Sequence, residues 1–173
     1  MWWIFWTVWV IGLLLVLAYA FVLPFGAPYL PTRRKESDQA LDLINLKPGE
    51  VFVDLGCGDG RLLVLAATRG LRAVGYELNP FLAIYAWVRT RRYGRQVKVK
   101  WGNFWRADLS GADGVFVFLI GHHMKRLDRL IGRYSKNRQI KLVSHAFKIP
   151  DKQPSAKKGP LYLYLYGPLA KGS

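Results

Sequence analysis

Between Asp54 and Arg61 the chain reads DLGCGDGR, three glycines at every second position with an acid on either side. Glycines so placed free the backbone for positive φ or for close approach of a ligand. The flanking carboxylates, Asp54 and Asp59, set the charge that ligand can carry. A pyrophosphate would meet two negative groups, whereas a ligand bearing an ammonium and a second cationic centre would be drawn in. Dinucleotide turns use glycines at relative positions one, three and six; Gly56, Gly58 and Gly60 are followed by Arg61 where the last would fall, so spacing and sign both disfavour a dinucleotide. Further acids stand where strands should end: Glu77, just before Asn79-Pro80, and Asp108, after Gly102-Asn103-Phe104-Trp105. The pair His122-His123 follows another apolar run and offers a base or an orienting group, or simply two solvated residues. Cys57, the single cysteine, excludes an internal disulfide and a thiolate-cluster metal site and reads as a small side chain packed under the turn. No metal site is expected.

Positioning these residues needs strands that end on one edge. Val51–Val53 is β-branched and aromatic, bounded by Pro48-Gly49 and Gly56, and predicts a buried strand running into the glycine turn. A helix from Arg61 to Gly70, a strand over Leu71–Glu77 and a helix from Pro80 to about Arg92 follow, the last capped by Asn79 and burying Phe81, Ile84, Tyr85 and Val88. Gln96–Trp101, Gly114–Ile120 and Gln139–Ala146 supply three more strands, and Met124–Tyr134 an amphipathic helix. Upstream, Ser37 caps a helix to about Asn45; downstream, Lys148–Gly159 reads as a mobile loop and LYLYLY, Leu161–Tyr166, as an antiparallel edge strand. Alternation of strand and helix predicts an α/β fold, a mostly parallel sheet of about six strands covered on both faces.

The N-terminus is of another kind. Residues 1–32 carry no charge, and Trp3–Leu23 as a helix would rise about 31 Å, enough for a bilayer. Its flanks lack the positive start of a secretory signal. The expectation is a transmembrane helix over 1–24, a Pro-rich basic linker over 25–36, a ligand-binding domain over 37–168 and a tail over 169–173. Arg33, Arg34 and Lys35 follow the span, so the domain is expected on the cytoplasmic side of a single-pass membrane protein. A net charge of +15 points to anionic lipid surfaces, with nucleic acid as a second partner class.

The motif DLGCGDGR resembles the glycine-rich turn of Rossmann-like, class I methyltransferases of the seven-β-strand type. With AVGYELNP it is similar to small membrane-anchored protein-lysine methyltransferases, those that in mitochondria modify the ADP/ATP carrier and the ATP synthase c-subunit. That resemblance, over roughly Ser37–Tyr166, implies S-adenosylmethionine as cofactor, with Asp54, Gly56, Cys57, Gly58, Asp59 and Gly60 around its methionine part. It implies Glu77 on the ribose hydroxyls, Asp108 near the adenine, and Asn79 and Phe104 as further contacts; Asp59 could instead cap the following helix. His122 and His123 are the candidates for catalysis. Tyr85, Trp101, Phe104 and Trp105 could line a methyl-lysine channel or pack in the core. The expected acceptor is a lysine amine of a membrane protein. Alternatives are a lipid amine, RNA, or a tethered protein that binds an adenosyl ligand without catalysis.

Overall fold

In the computed structural model the described residues are 1–22 and 34–168. One sheet of seven strands organises the chain: β1 (Val51–Leu55), β2 (Arg72–Glu77), β3 (Val97–Trp101), β4 (Gly114–Phe118), β5 (Ile140–His145), β6 (Ala156–Lys158) and β7 (Leu161–Tyr166). Their order is β3-β2-β1-β4-β5-β7-β6. Strands β1 to β5 run parallel, and β7 lies antiparallel to both β5 and β6. The chain reverses direction across the sheet between β1 and β4. That switch point is where an open α/β sheet opens a crevice at its carboxyl edge, and it is the edge at which Glu77 ends β2 and Asp54 stands one residue short of the end of β1.

Among the described residues the helices are α1 (Trp2–Val22), α2 (Arg34–Ile44), α3 (Arg61–Thr68), α4 (Pro80–Thr90) and α5 (Met124–Tyr134). Leu127, Leu130 and Ile131 of α5 pack on one face of the sheet with Val53, Val115 and Val117; Ala40 and Ile44 of α2 and Leu63 and Ala66 of α3 cover the other with Phe52, Phe116 and Val143. Alternation along each strand sends successive residues to opposite cores.

Several expectations are corrected. A helix forms at the N-terminus, but no helix among the described residues is long and apolar enough to cross a membrane. The transmembrane helix, the single-pass localisation and the cytoplasmic placement that depended on it are therefore withdrawn. Most of the expected linker, and the tail from residue 169, lie outside the described residues. Helix α2 begins at Arg34, so Ser37 sits inside it and is buried rather than capping. The stretch read as a mobile loop contains β6, which turns through Gly159 into β7; the sheet has seven strands, and β7 is an inner strand with β6 at the edge.

Helix α4 is the largest surprise. Phe81, Ile84, Tyr85 and Val88 do share a face, but that face is exposed, from 46% to 62%. The buried positions are Ala83, Ala86 and Thr90. The reason is a close approach: a Cβ on Gly60 would stand 2.9 Å from the Ala86 Cβ, so the contact admits only small residues. Gly75 of β2 serves the same end beneath the glycine turn, where an added Cβ would meet Leu63 Cδ1 at 2.5 Å and Cys57 Sγ at 2.7 Å. Gly75→Ala is expected to destabilise the fold by about 1–3 kcal/mol through overpacking, read as a lowered thermal midpoint. Cys57→Ala, which makes room, should restore part of the loss in the double variant.

Candidate functional site

The site starts at the carboxyl end of β1. Leaving Leu55, the backbone takes positive φ at Gly56 (91°), Gly58 (55°) and Gly60 (75°) before α3 begins. These values are easy for glycine and strained for other residues. The N–H groups of Gly56 and Cys57 both donate to the Tyr76 carbonyl, at 2.9 and 3.0 Å, fastening the turn to β2. Gly56 is exposed, and nothing lies within 4 Å of where its Cβ would be, so the crest of the turn faces open space. Cys57 is buried beneath it, and burial, followed by the charges of Asp54 and Glu77, pushes its thiol well up. It is a packing residue, as the sequence suggested.

Glu77 ties the site together. Its Oε2 accepts the Gly58 N–H at 2.8 Å and its Oε1 the Asn79 N–H at 2.8 Å. Burial raises its carboxyl above the ordinary value, against the opposing pull of these backbone donors. Each oxygen retains acceptor capacity for a hydroxyl. Asn79 in turn caps α4, its Oδ1 accepting from the N–H groups of Phe81 and Leu82 at 2.9 and 3.3 Å. Asp54 is buried, and that burial, then the charges of Glu77 and Asp59, push its carboxyl up to about 8. A buried acid raised by like charges is an unfilled demand for a cation. The open crest at Gly56 beside Asp54 and Glu77 thus fits the ammonium, sulfonium and ribose of S-adenosylmethionine.

Asp59 does not join this demand. It pairs with Arg61 at 2.8 Å and Arg89 at 2.5 Å and accepts the Arg61 N–H at the start of α3. Burial pushes its carboxyl up, but the Arg61 hydrogen bonds and the two guanidinium charges outweigh this and hold it below the usual range. Of its two readings, the structure supports the helix-start role. Asp108 is likewise drawn off: it is exposed, its Oδ1 accepts the Ser110 N–H at 3.0 Å, and that bond holds its carboxyl low. Asn103 was missed. It follows Gly102, whose N–H donates to the Glu77 carbonyl at 2.8 Å, and its Oδ1 accepts the Trp105 N–H, as Asn79 does one strand earlier. An asparagine directly after a strand was the available signal.

Phe104 and Trp105 are buried together in the core, 4.7 Å between ring centroids, while Tyr85 and Trp101 are exposed on the α4 side. Of the two readings offered for these aromatics, Phe104 and Trp105 take the core one. His122 and His123 sit in the 3-10 turn after β4, ring centroids 4.0 Å apart, with His123 edge-on to Trp105 at 5.6 Å. Burial first, then His122 and Arg126, lower the His123 pKa. Missed too was His145, at the carboxyl end of β5.

Comparison with known proteins agrees with this geometry. Residues 54–156 match the family model described as ANTKMT methyltransferase domain. The chain is similar to the Homo sapiens lysine N-methyltransferase named for the ATP synthase c-subunit, 29% identical over 159 residues, covering 86% of this chain and 67% of that protein. It is 30% identical over 152 residues to a protein-lysine N-methyltransferase of Saccharolobus islandicus, covering 81% of this chain and 94% of that one. Among solved structures, an RNA methyltransferase from Salinibacter ruber in complex with S-adenosyl-L-homocysteine superposes with a TM-score of 0.73 at 26% identity, over 83% of this chain and 98% of the other.

The raised Asp54 carboxyl makes a pH prediction for the ligand-free protein. Its ordinary value is 3.8 and its folded value about 8, so the folded state holds the proton more tightly. That stabilisation is complete below about pH 4 and is lost as pH rises towards and through about 8. Asp54→Asn should therefore melt higher than the parent at pH 8.5, by roughly 2–5 kcal/mol of stability, with the gap closing towards pH 4. Calorimetry should show its affinity for S-adenosylhomocysteine reduced at least tenfold.

Proposed function

Because this chain belongs to the ANTKMT family of S-adenosylmethionine-dependent protein-lysine methyltransferases, we propose that its acceptor is a lysine side chain of a membrane protein, of the kind its relatives modify. The observation that carries the cofactor side is the Glu77 carboxylate bridging the glycine turn and the start of α4, beside the buried Asp54. When bound, S-adenosylmethionine supplies an electrophilic methyl group. The chain's part is to hold and align: Asp54 faces the ammonium, the Gly56 crest lets the methionine arm approach, and Glu77 receives the ribose hydroxyls. Asn103 borders the adenine end at the close of β3. Alignment and exclusion of water supply much of the rate in such an in-line displacement.

A membrane acceptor brings the enzyme against lipid, and α4 has a surface suited to it. Phe81, Ile84, Trp87 and Val88 are exposed there with Trp101, over a cavity of about 270 Å³ lined by Pro80, Ala83, Ile84, Trp87, Val99 and Trp101. Exposed Arg91, Arg92, Arg95 and Lys98 follow in the chain. Aromatic rings at headgroup depth beside basic side chains match an anionic interface. Sedimentation with phosphatidylserine vesicles should pull the protein down at low salt and release it at high salt; Trp87→Ser with Trp101→Ser should weaken binding severalfold without changing affinity for S-adenosylhomocysteine.

A second reading, methylation of RNA, draws on the +15 charge and on the likeness to the Salinibacter protein. One experiment separates the two. The protein is incubated with methyl-tritiated cofactor and a cell extract containing membranes and RNA, then digested in parallel with protease, nuclease and phospholipase. Protease should release the label, and acid hydrolysis should return methyl-lysine; release by nuclease or phospholipase would overturn the lysine reading. Glu77→Ala should reduce incorporation at least a hundredfold, since both the turn and the ribose site depend on that carboxylate.

A further inference from the structure

His145 ends β5 opposite its register partner Phe118 of β4, with ring centroids 4.6 Å apart and planes at 73°. Its Nε2 lies 3.3 Å from Oε2 of Glu36, in the first turn of α2, and the two side chains are 12% and 27% exposed. The approach falls short of hydrogen-bond alignment. Both ring nitrogens are buried without a hydrogen-bond partner among the described residues, and so is Oγ of Ser37, the next residue along α2. Buried polar atoms are nearly always paired, and a cluster left unpaired marks a place where a polar partner arrives.

Resting on the lysine-methyltransferase reading above, we propose that Glu36 and His145 form the acceptor-amine site, the carboxylate receiving the lysine ε-ammonium and the imidazole taking its proton. Strand register supports the placement. Asp54 pairs with Phe116, Phe118 lies two residues further on, and His145 pairs with Phe118, so by alternation all four side chains face the α2 side of the sheet. With strands about 4.8 Å apart, His145 lies about 10 Å along the rim from the strand that carries Asp54. The Phe118 ring between them offers an apolar wall for the lysine stem. His122 and His123 are worse placed, because among the described residues no carboxylate stands within ion-pair range of either. Glu36 fulfils that role for His145, and the strand neighbours Phe118 and Leu161 bring no charge.

The step is a proton transfer. One N–H bond of the ammonium breaks, the proton bonds to a ring nitrogen of His145, and the amine keeps the electron pair with which it attacks the methyl carbon. Glu36 then faces an imidazolium, a charge-assisted partner for which its oxygen is already near.

The test uses the full chain and the polypeptide that it labels in the digestion experiment, purified in detergent. Glu36→Gln should raise KM for that acceptor about tenfold with kcat changed less. His145→Asn should lower kcat about a hundredfold at pH 7.5 and change the shape of the kcat–pH profile. Calorimetry with S-adenosylhomocysteine should give affinities within twofold of the parent for both variants, which shows them folded and their cofactor site intact. His123→Asn should leave the pH profile in place. If the parent labels no polypeptide, the lysine reading itself has failed. If it does, and both variants keep parental kcat, KM and pH profile, or lose cofactor affinity in step with activity, the proposed pair is overturned.

Discussion

A single carboxylate holds the functional edge of this protein in shape. Glu77 lies at the end of β2, is almost wholly buried, and spends its two oxygens on the backbone N–H groups of Gly58 and Asn79. A buried carboxylate needs such partners, because leaving water without them costs several kcal/mol. The N–H groups need the carboxylate equally, since neither the glycine turn nor the residue before α4 offers them a ladder partner. The outcome is a joint between two βα units: the turn after β1 and the turn after β2 cannot move independently. The Tyr76 carbonyl adds two more bonds to the same joint, so the cofactor edge is set by backbone geometry rather than by mobile side chains.

Charge is sorted around that joint. The chain is strongly basic, yet Asp54, Asp59 and Glu77 gather at the carboxyl edge, and Arg61 and Arg89 are tied to Asp59. Asp59 thus holds both guanidinium groups, and its pairing with Arg89, thirty residues on, is a contact that signs and spacing in a sequence do not reveal.

The order of strands and helices was legible because punctuation marks it: glycines and prolines bound every apolar run, and the acid-glycine turn names its own edge. What failed to show follows a pattern. The buried face of α4 was misassigned because periodicity reports that a face is apolar but not which way it turns; the close contact of Gly60 with Ala86 decides that. Strand β6 was unreadable because an edge strand of Ala156, Lys157 and Lys158, paired on one side only, has no apolar pattern to display. At the site, Asp54, Glu77 and the glycines form a local motif, whereas Asn103 shows its bond to the Trp105 N–H only in the folded chain. His145 and Glu36 share no motif and lie far apart in the chain; only the packing of α2 against β5 brings them together.

The position of β7 has a bearing on how the molecule is made. It lies between β5 and β6, although both of these strands precede it in the chain. Until Leu161–Tyr166 emerges, β5 presents a bare row of amide and carbonyl groups, and β6 has nothing to pair with. Assembly of that half of the sheet must therefore wait for β7, and the nascent chain carries an open, adhesive flank in the meantime.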